Sequence, residues 1–163
     1  MGLNVTAYGK LKKIEQEEDI QFGSFGLPVN ERIKSFFVNP DYPYHISGIN
    51  PDFYYLCKGE MFSFRAGSYA GFNEWKNQLA QLAGFKNRQD YWNKKPIAAF
   101  SELINFSDSD GSIAYIVASK LAKDFQEYDT LAKASNIPFF YEAYRNWKRA
   151  CEIATKDGII SFH

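Results

Sequence analysis

PFFYEAYRNWKRACEIATKDGIISF, residues 138–162, is the stretch that decides the fold. Phe140, Tyr144, Trp147, Cys151 and Ala154 recur at steps of four, three, four and three, which puts them on one side of a helix. Pro138 suits the first turn, and Asn136 is the expected cap. Gly158 closes the helix, and residues 159–162 read as a strand. At the other terminus Leu3, Val5 and Ala7 alternate, so residues 3–8 read as a second strand with one inward face. A sheet whose first and last strands come from the two termini follows from these readings.

The same patterns extend inward. A helix is predicted over 71–83 from Phe72, Trp75, Leu79 and Leu82, with Ser68 as its cap and Gly84 just past its end. Another is predicted over 112–128, with Ile113, Ile116, Val117, Leu121, Phe125 and Tyr128 on its stripe. Aromatic runs at 53–57 and 61–65 flank Lys58-Gly59-Glu60 and read as a β-hairpin. Residues 100–106 read as a strand, 85–96 as a polar stretch with a short helix, and 32–38 as strand or short helix. Residues 39–51 hold Pro40, Pro43, Gly48 and Pro51 and predict a long loop, pinned to the surface by Tyr42 and Tyr44. The class is therefore α+β. One domain covers residues 1–163, with a small, mostly antiparallel sheet packed by about three helices.

Composition limits the function. With 15 Phe, 11 Tyr and 3 Trp, the chain of 163 residues can fill a core without disulfides or a structural metal. Its 19 basic and 19 acidic side chains cancel. A zero balance argues against a general nucleic-acid coat, which needs a basic surface. It also gives little self-repulsion, so a homo-oligomer is compatible with it. Cys57 and Cys151 are far apart, and Cys151 falls on a core stripe, so it reads as a buried thiol. With His45 and His163 as the only histidines, a zinc site is not expected. No apolar run approaches a membrane span, and the N-terminus lacks a secretory core, so a cytoplasmic protein is expected.

Two loops carry the candidate chemistry. The first is Arg65-Ala66-Gly67-Ser68-Tyr69-Ala70-Gly71, read as a strand-to-helix connection. Glycines allow close approach, a helix start offers free N–H groups, and Arg65 can grip a phosphate or carboxylate. Ser68, Tyr69 and Asn73 add hydrogen-bonding groups. It is neither a Walker A loop nor a GxGxxG fingerprint, and a plain tight turn with Arg65 paired to an acid accounts for the same residues. The second runs from Asn105 to Ser112 and contains Asp108 and Asp110. An EF-hand is excluded, because its first and twelfth ligand positions fall on Phe106 and Val117. Helix capping by Asp or Ser explains the acids without a metal. If both loops lie at one sheet edge, they face each other and form one site. A third feature, Arg145, Lys148 and Arg149 on one face of the last helix, suits either an acidic partner or a solvated face.

The segments Gly2-Leu3-Asn4-Val5-Thr6-Ala7-Tyr8, Phe64-Arg65-Ala66-Gly67-Ser68-Tyr69-Ala70-Gly71-Phe72-Asn73-Glu74-Trp75, and Leu103-Ile104-Asn105-Phe106-Ser107-Asp108 with Lys120-Leu121-Ala122-Lys123-Asp124-Phe125 resemble a family of phage and bacterial proteins without known activity. The resemblance implies a prokaryotic or viral cytosolic setting and carries over no catalytic residue or cofactor. No Ser/His/Asp or Cys/His arrangement is legible in the chain, so it leans away from an enzyme. The leading expectation is a non-catalytic domain that binds a small anionic, nucleotide-like ligand through Arg65, Ser68, Tyr69, Asn73, Asp108 and Asp110. Tyr42, Tyr44 or Tyr69 would stack on its ring. The alternative is a protein-interaction module, for example a phage factor acting on a host protein. A metal-assisted hydrolase using Asp108, Asp110 and Glu102 ranks third.

Overall fold

The computed structural model describes residues 2–94, 97–107 and 109–163. Asp108 therefore lies outside the described residues. The alternating N-terminus forms β1 (Gly2–Tyr8), followed by β2 (Leu11–Lys13), β3 (Ile33–Lys34), β4 (Tyr55–Cys57) and β5 (Met61–Ser68). Next come α1 (Tyr69–Leu82), α2 (Arg88–Lys94), α3 (Ser101–Ile104), β6 (Gly111–Ala114) and α4 (Tyr115–Glu127). The chain ends with α5 (Asp129–Ala134), α6 (Phe140–Ala154) and β7 (Ile159–Phe162). A four-stranded sheet has the order β5-β1-β7-β6, and a three-stranded one the order β2-β4-β3. Every pairing is antiparallel. The two terminal strands are neighbours at the centre of the larger sheet, as the alternation at each end predicts.

Leu3, Val5 and Ala7 point from β1 into the main core, where α1 and α6 close over them and α4 covers β6 and β7. Trp147 of α6 stands at its middle, with ring centroids of Phe64, Phe72, Trp75 and Phe162 at 5.2, 5.6, 5.9 and 5.4 Å. The polar tips of buried aromatics find carbonyls, as burial requires. Trp75 Nε1 donates to Phe140 O, and the Tyr144 hydroxyl donates to Phe125 O. Both cysteines are buried and free, and burial pushes the Cys151 thiol well up.

Four expectations need correction. Residues 53–57 and 61–65 do not form a hairpin: β4 pairs with β2 and β3, whereas β5 pairs with β1. The chain turns a corner at Gly9-Lys10 opposite Lys58-Gly59-Glu60, with Gly9 N–H on Glu60 O and Gly59 N–H on Gly9 O. One bent ribbon thus serves both sheets. Residues 100–106 hold a helical turn instead of a strand, because Phe100, Leu103 and Ile104 are spaced to bury together on one side of it. The next strand is Gly111–Ala114, so Ile113 belongs to a strand and α4 begins only at Tyr115. Asn136 does not cap α6. It takes a left-handed φ of 54° between α5 and α6, and Phe139 occupies the cap position without a side-chain bond.

The proline-rich loop is pinned by Tyr42, which packs on Phe106 and His45, and by residues other than its tyrosines, whereas Tyr44 is exposed. Ile46 and Ile49 are buried, and His45 stacks on Phe106 at 4.7 Å. His45 Nε2 donates to Glu102 O at 2.8 Å, while its buried Nδ1 has no partner among the described residues. Burial outweighs that bond and the nearby Glu102 charge, and holds the His45 pKa below its ordinary value of 6.5. The unfolded chain then takes up the proton first as pH falls. The stability from neutral His45 is complete above the ordinary histidine value and is lost as pH drops from there toward the lower folded value, by at most about 1.4 kcal/mol per pH unit. Urea midpoints between pH 7.5 and pH 5 should fall in the native protein and fall less steeply in His45→Gln. Equal slopes in the two proteins would show that this imidazole is not the titrating group.

Candidate functional site

The outer face of the larger sheet changes character along its length. The residues that share this face are Tyr8, Thr6 and Asn4 on β1, and Met61, Ser63 and Arg65 on β5. On β7 and its continuation they are Ile159, Ser161 and His163, and on β6 Ala114 and Ser112. The register aligns them into rows. Tyr8, Ile159 and Ala114 form one row and pack on Phe36, Ile46, Tyr55 and Cys57 beneath the smaller sheet. Ser63, Thr6, Ser161 and Ser112 form the next. Arg65, Asn4 and His163 form the last, where Asn4 and His163 exchange both backbone hydrogen bonds. A sheet face covered at one end by apolar packing thus opens into a polar shelf at the other.

The shelf is internally connected. Thr6 Oγ1 is 2.9 Å from Ser63 Oγ and 2.9 Å from His163 Nε2, so one buried hydroxyl joins three strands. Ser112 Oγ donates to Phe37 O at 2.8 Å and ties the fourth strand to the covering segment. Asn4, Ser63, Arg65 and His163 are exposed. Arg65 crosses over Gly2, where any larger side chain would collide with its guanidinium. That guanidinium has no hydrogen bond or ion pair among the described residues. A bulge between Leu3 and Asn4 sets Arg65, not Ala66, opposite Asn4. Chemically the shelf joins one cation, the guanidinium, to an amide, a hydroxyl and an imidazole that can each donate or accept. Thr6 is 5% exposed beneath the imidazole of His163.

The predicted residues fall partly on this shelf. Arg65 is on it. No loop separates β5 from α1, and Ser68 accepts from Gly71 N–H at 3.0 Å as the expected cap. Tyr69, 37% exposed, opens α1 beside it. The Oδ1 of Asn73 is held by the Arg88 guanidinium. Asp110 lies at the same end of the sheet but past the opposite edge strand, three inter-strand steps or about 14 Å from β5. Its carboxylate is held by its own loop and the proline-rich segment, with Ser107 Oγ at 3.3 Å, Ser109 Oγ at 3.4 Å and Asn39 Nδ2 at 3.3 Å. Arg65 and Asp110 share an end of the sheet, not an edge. Tyr42 packs on Phe106, whereas Tyr44 is exposed.

Of the other candidates, Glu102, Lys148 and Arg149 are engaged elsewhere, and Arg145 is exposed on α6 without an ion pair among the described residues. Glu102 pairs with Lys120 at 2.7 Å, and no cluster of three metal-ligating side chains occurs among the described residues. On α6, Arg149 pairs with Glu60 at 2.7 Å and lies over Phe62, while Lys148 pairs with Asp129 at 3.4 Å. Open clefts of about 590 and 470 Å³ flank these residues; acids balance the basic groups in the second, whereas the first has Lys10, Arg149 and Lys156 beside Glu60 and Glu152. Sequence reading missed Asn4, Thr6, Ser63, Ser161 and His163. It also missed Lys76, which is fully buried on α1, donates to Phe106 O at 3.1 Å and lies over the Phe72 ring. Among the described residues no helix is long and apolar enough to cross a membrane. No family model, curated protein or solved structure matches the chain.

Proposed function

We propose that the protein is a non-catalytic binding domain for a small anionic, nucleotide-like ligand whose phosphate or carboxylate sits on the polar shelf. The observation that carries this reading is the exposed Arg65 guanidinium, without a partner among the described residues, in one row with Asn4 and His163. An arginine fork matches the two oxygens of a phosphate or carboxylate. Ser63 and Asn4 add neutral hydrogen-bonding groups at the same surface, and Tyr69, exposed at the start of α1, offers a ring for stacking. Asp110, turned away at the other edge, has no part in this narrower site.

Thermal-shift titration with inorganic phosphate, pyrophosphate, citrate and nucleotides tests the reading. An anion at about 100 times its dissociation constant adds about 2.7 kcal/mol of stability, a shift of several degrees for a domain of this size. The shift should vanish in Arg65→Ala and persist in part in Arg65→Lys, which keeps the charge but loses the fork. A shift that is unchanged in Arg65→Ala, or no shift with any of these anions at millimolar concentration, contradicts it.

A further inference from the structure

Residues 21–29 leave the smaller sheet as a short hairpin that the main site does not use. Phe22 and Pro28 form an antiparallel bridge, Val29 N–H donates to Gln21 O at 2.8 Å, and Gly23 N–H donates to Leu27 O at 2.8 Å. The Phe22 ring meets Tyr54 edge-on at 5.5 Å and fixes the hairpin base to the body. The tip faces solvent with apolar side chains: Phe25 is 93% exposed, Leu27 69% and Val29 56%. A backbone held by its own hydrogen bonds keeps these side chains displayed, so little ordering is needed when they are covered.

Acids flank the base of the hairpin, where Glu15 and Glu17 line a small cleft with Tyr54, the partner of Phe22; the nearest basic side chain that follows, Arg32, donates to Cys57 O and Gly59 O. Residues 14–31 contain Glu15, Glu17, Glu18, Asp19 and Glu31 and no lysine or arginine. Glu15 pairs with Lys13 at 3.4 Å. Glu17, Glu18 and Asp19 are exposed and have no ion pair among the described residues. An apolar tip that entered a lipid surface would be favoured by basic neighbours, because cytoplasmic leaflets are anionic. Acids at the base of the hairpin repel such a surface and attract a cationic one. We infer that this hairpin is a docking element for another protein, one that offers an apolar pocket rimmed by lysine and arginine, into which Phe25 and Leu27 insert.

The test places p-benzoylphenylalanine at position 25 of the full chain and irradiates it in extract of the source cells. The expected result is a discrete adduct with one protein. Its cross-linked peptide lines an apolar pocket with basic residues at the rim. Truncation of a central apolar anchor commonly costs tenfold or more in affinity, so excess native protein should compete the adduct away while Leu27→Asp competes about tenfold less well. Glu17→Lys with Glu18→Lys, both at exposed positions, should weaken the adduct, as should raised salt. An adduct indifferent to salt and charge reversal overturns the inference. So do adducts only between copies of this chain, no adduct at all, or Phe25-dependent binding to anionic phospholipid vesicles.

Discussion

Replacing Trp147 with alanine is expected to destabilise the protein by about 3–5 kcal/mol, the range for removing a large buried aromatic. Trp147 is 1% exposed and is ringed by Phe64, Phe72, Trp75 and Phe162 at centroid distances of 5.2–5.9 Å. These partners belong to β5, α1 and β7, so the cavity would open where helices and sheet meet, and rigid strands cannot collapse to fill it. The effect reaches the shelf, because Phe64 precedes Arg65 and Phe162 precedes His163 on the same strands. Urea unfolding measures it as a lower midpoint with an unchanged slope. Arg145→Ala, on the exposed side of the same helix, should stay within about 0.5 kcal/mol of the native protein. Similar losses for the two would contradict the central place given to Trp147.

The second large effect is expected at Gly111, where alanine should cost about 2–5 kcal/mol through backbone strain and overpacking together. Gly111 has φ of 125°, a conformation that side chains rarely adopt. An added Cβ would meet Phe106 Cζ at 2.6 Å and Asn39 Cβ at 3.0 Å. Gly84 separates the two causes. It has φ of 96° but nothing within 4 Å of its Cβ position, so Gly84→Ala should show strain without collision and a smaller loss, about 1 kcal/mol. Amide exchange should show the Gly111 variant losing protection first in β6. A Gly111 variant as stable as the Gly84 one would mean that Phe106 and Asn39 move aside freely.

Period alone was enough for much of the fold. α1 and α6 keep one apolar stripe over several turns, and Ser68 and Gly84 mark the ends of α1 with side-chain and backbone chemistry that is local. The run from Phe100 to Phe106 failed because a short apolar stretch satisfies both periods, and only its packing against Phe125 and Asp124 selects the helical turn. The hairpin expectation at Lys58-Gly59-Glu60 failed for a similar reason. A turn signal does not say whether the flanking strands pair with each other or with a third strand, here β1 and β2.

Most of the shelf was hidden by its distribution over separate strands. In β1, Asn4 and Thr6 look like ordinary solvent-side residues, and so do Ser63 in β5 and Ser161 in β7. Only the register turns them into rows, and register depends on pairings between the two ends of the chain, as between Asn4 and His163. Arg65 was legible because a cation before glycines is unusual by itself. Lys76 was not, since a lysine beside an apolar stripe ordinarily reaches solvent, and its burial depends on the Phe106 carbonyl that tertiary packing brings to it.

The most direct measurement is an amide chemical-shift titration of the native protein with pyrophosphate. The shelf account predicts that Asn4, Thr6, Ser63, Arg65 and His163 shift together along one saturating curve, and that Arg65→Ala abolishes the response while leaving the rest of the spectrum in place. Shifts centred on Lys10, Arg149 and Lys156 in the cleft beside α6, or a titration that leaves the shelf amides unmoved, would contradict it.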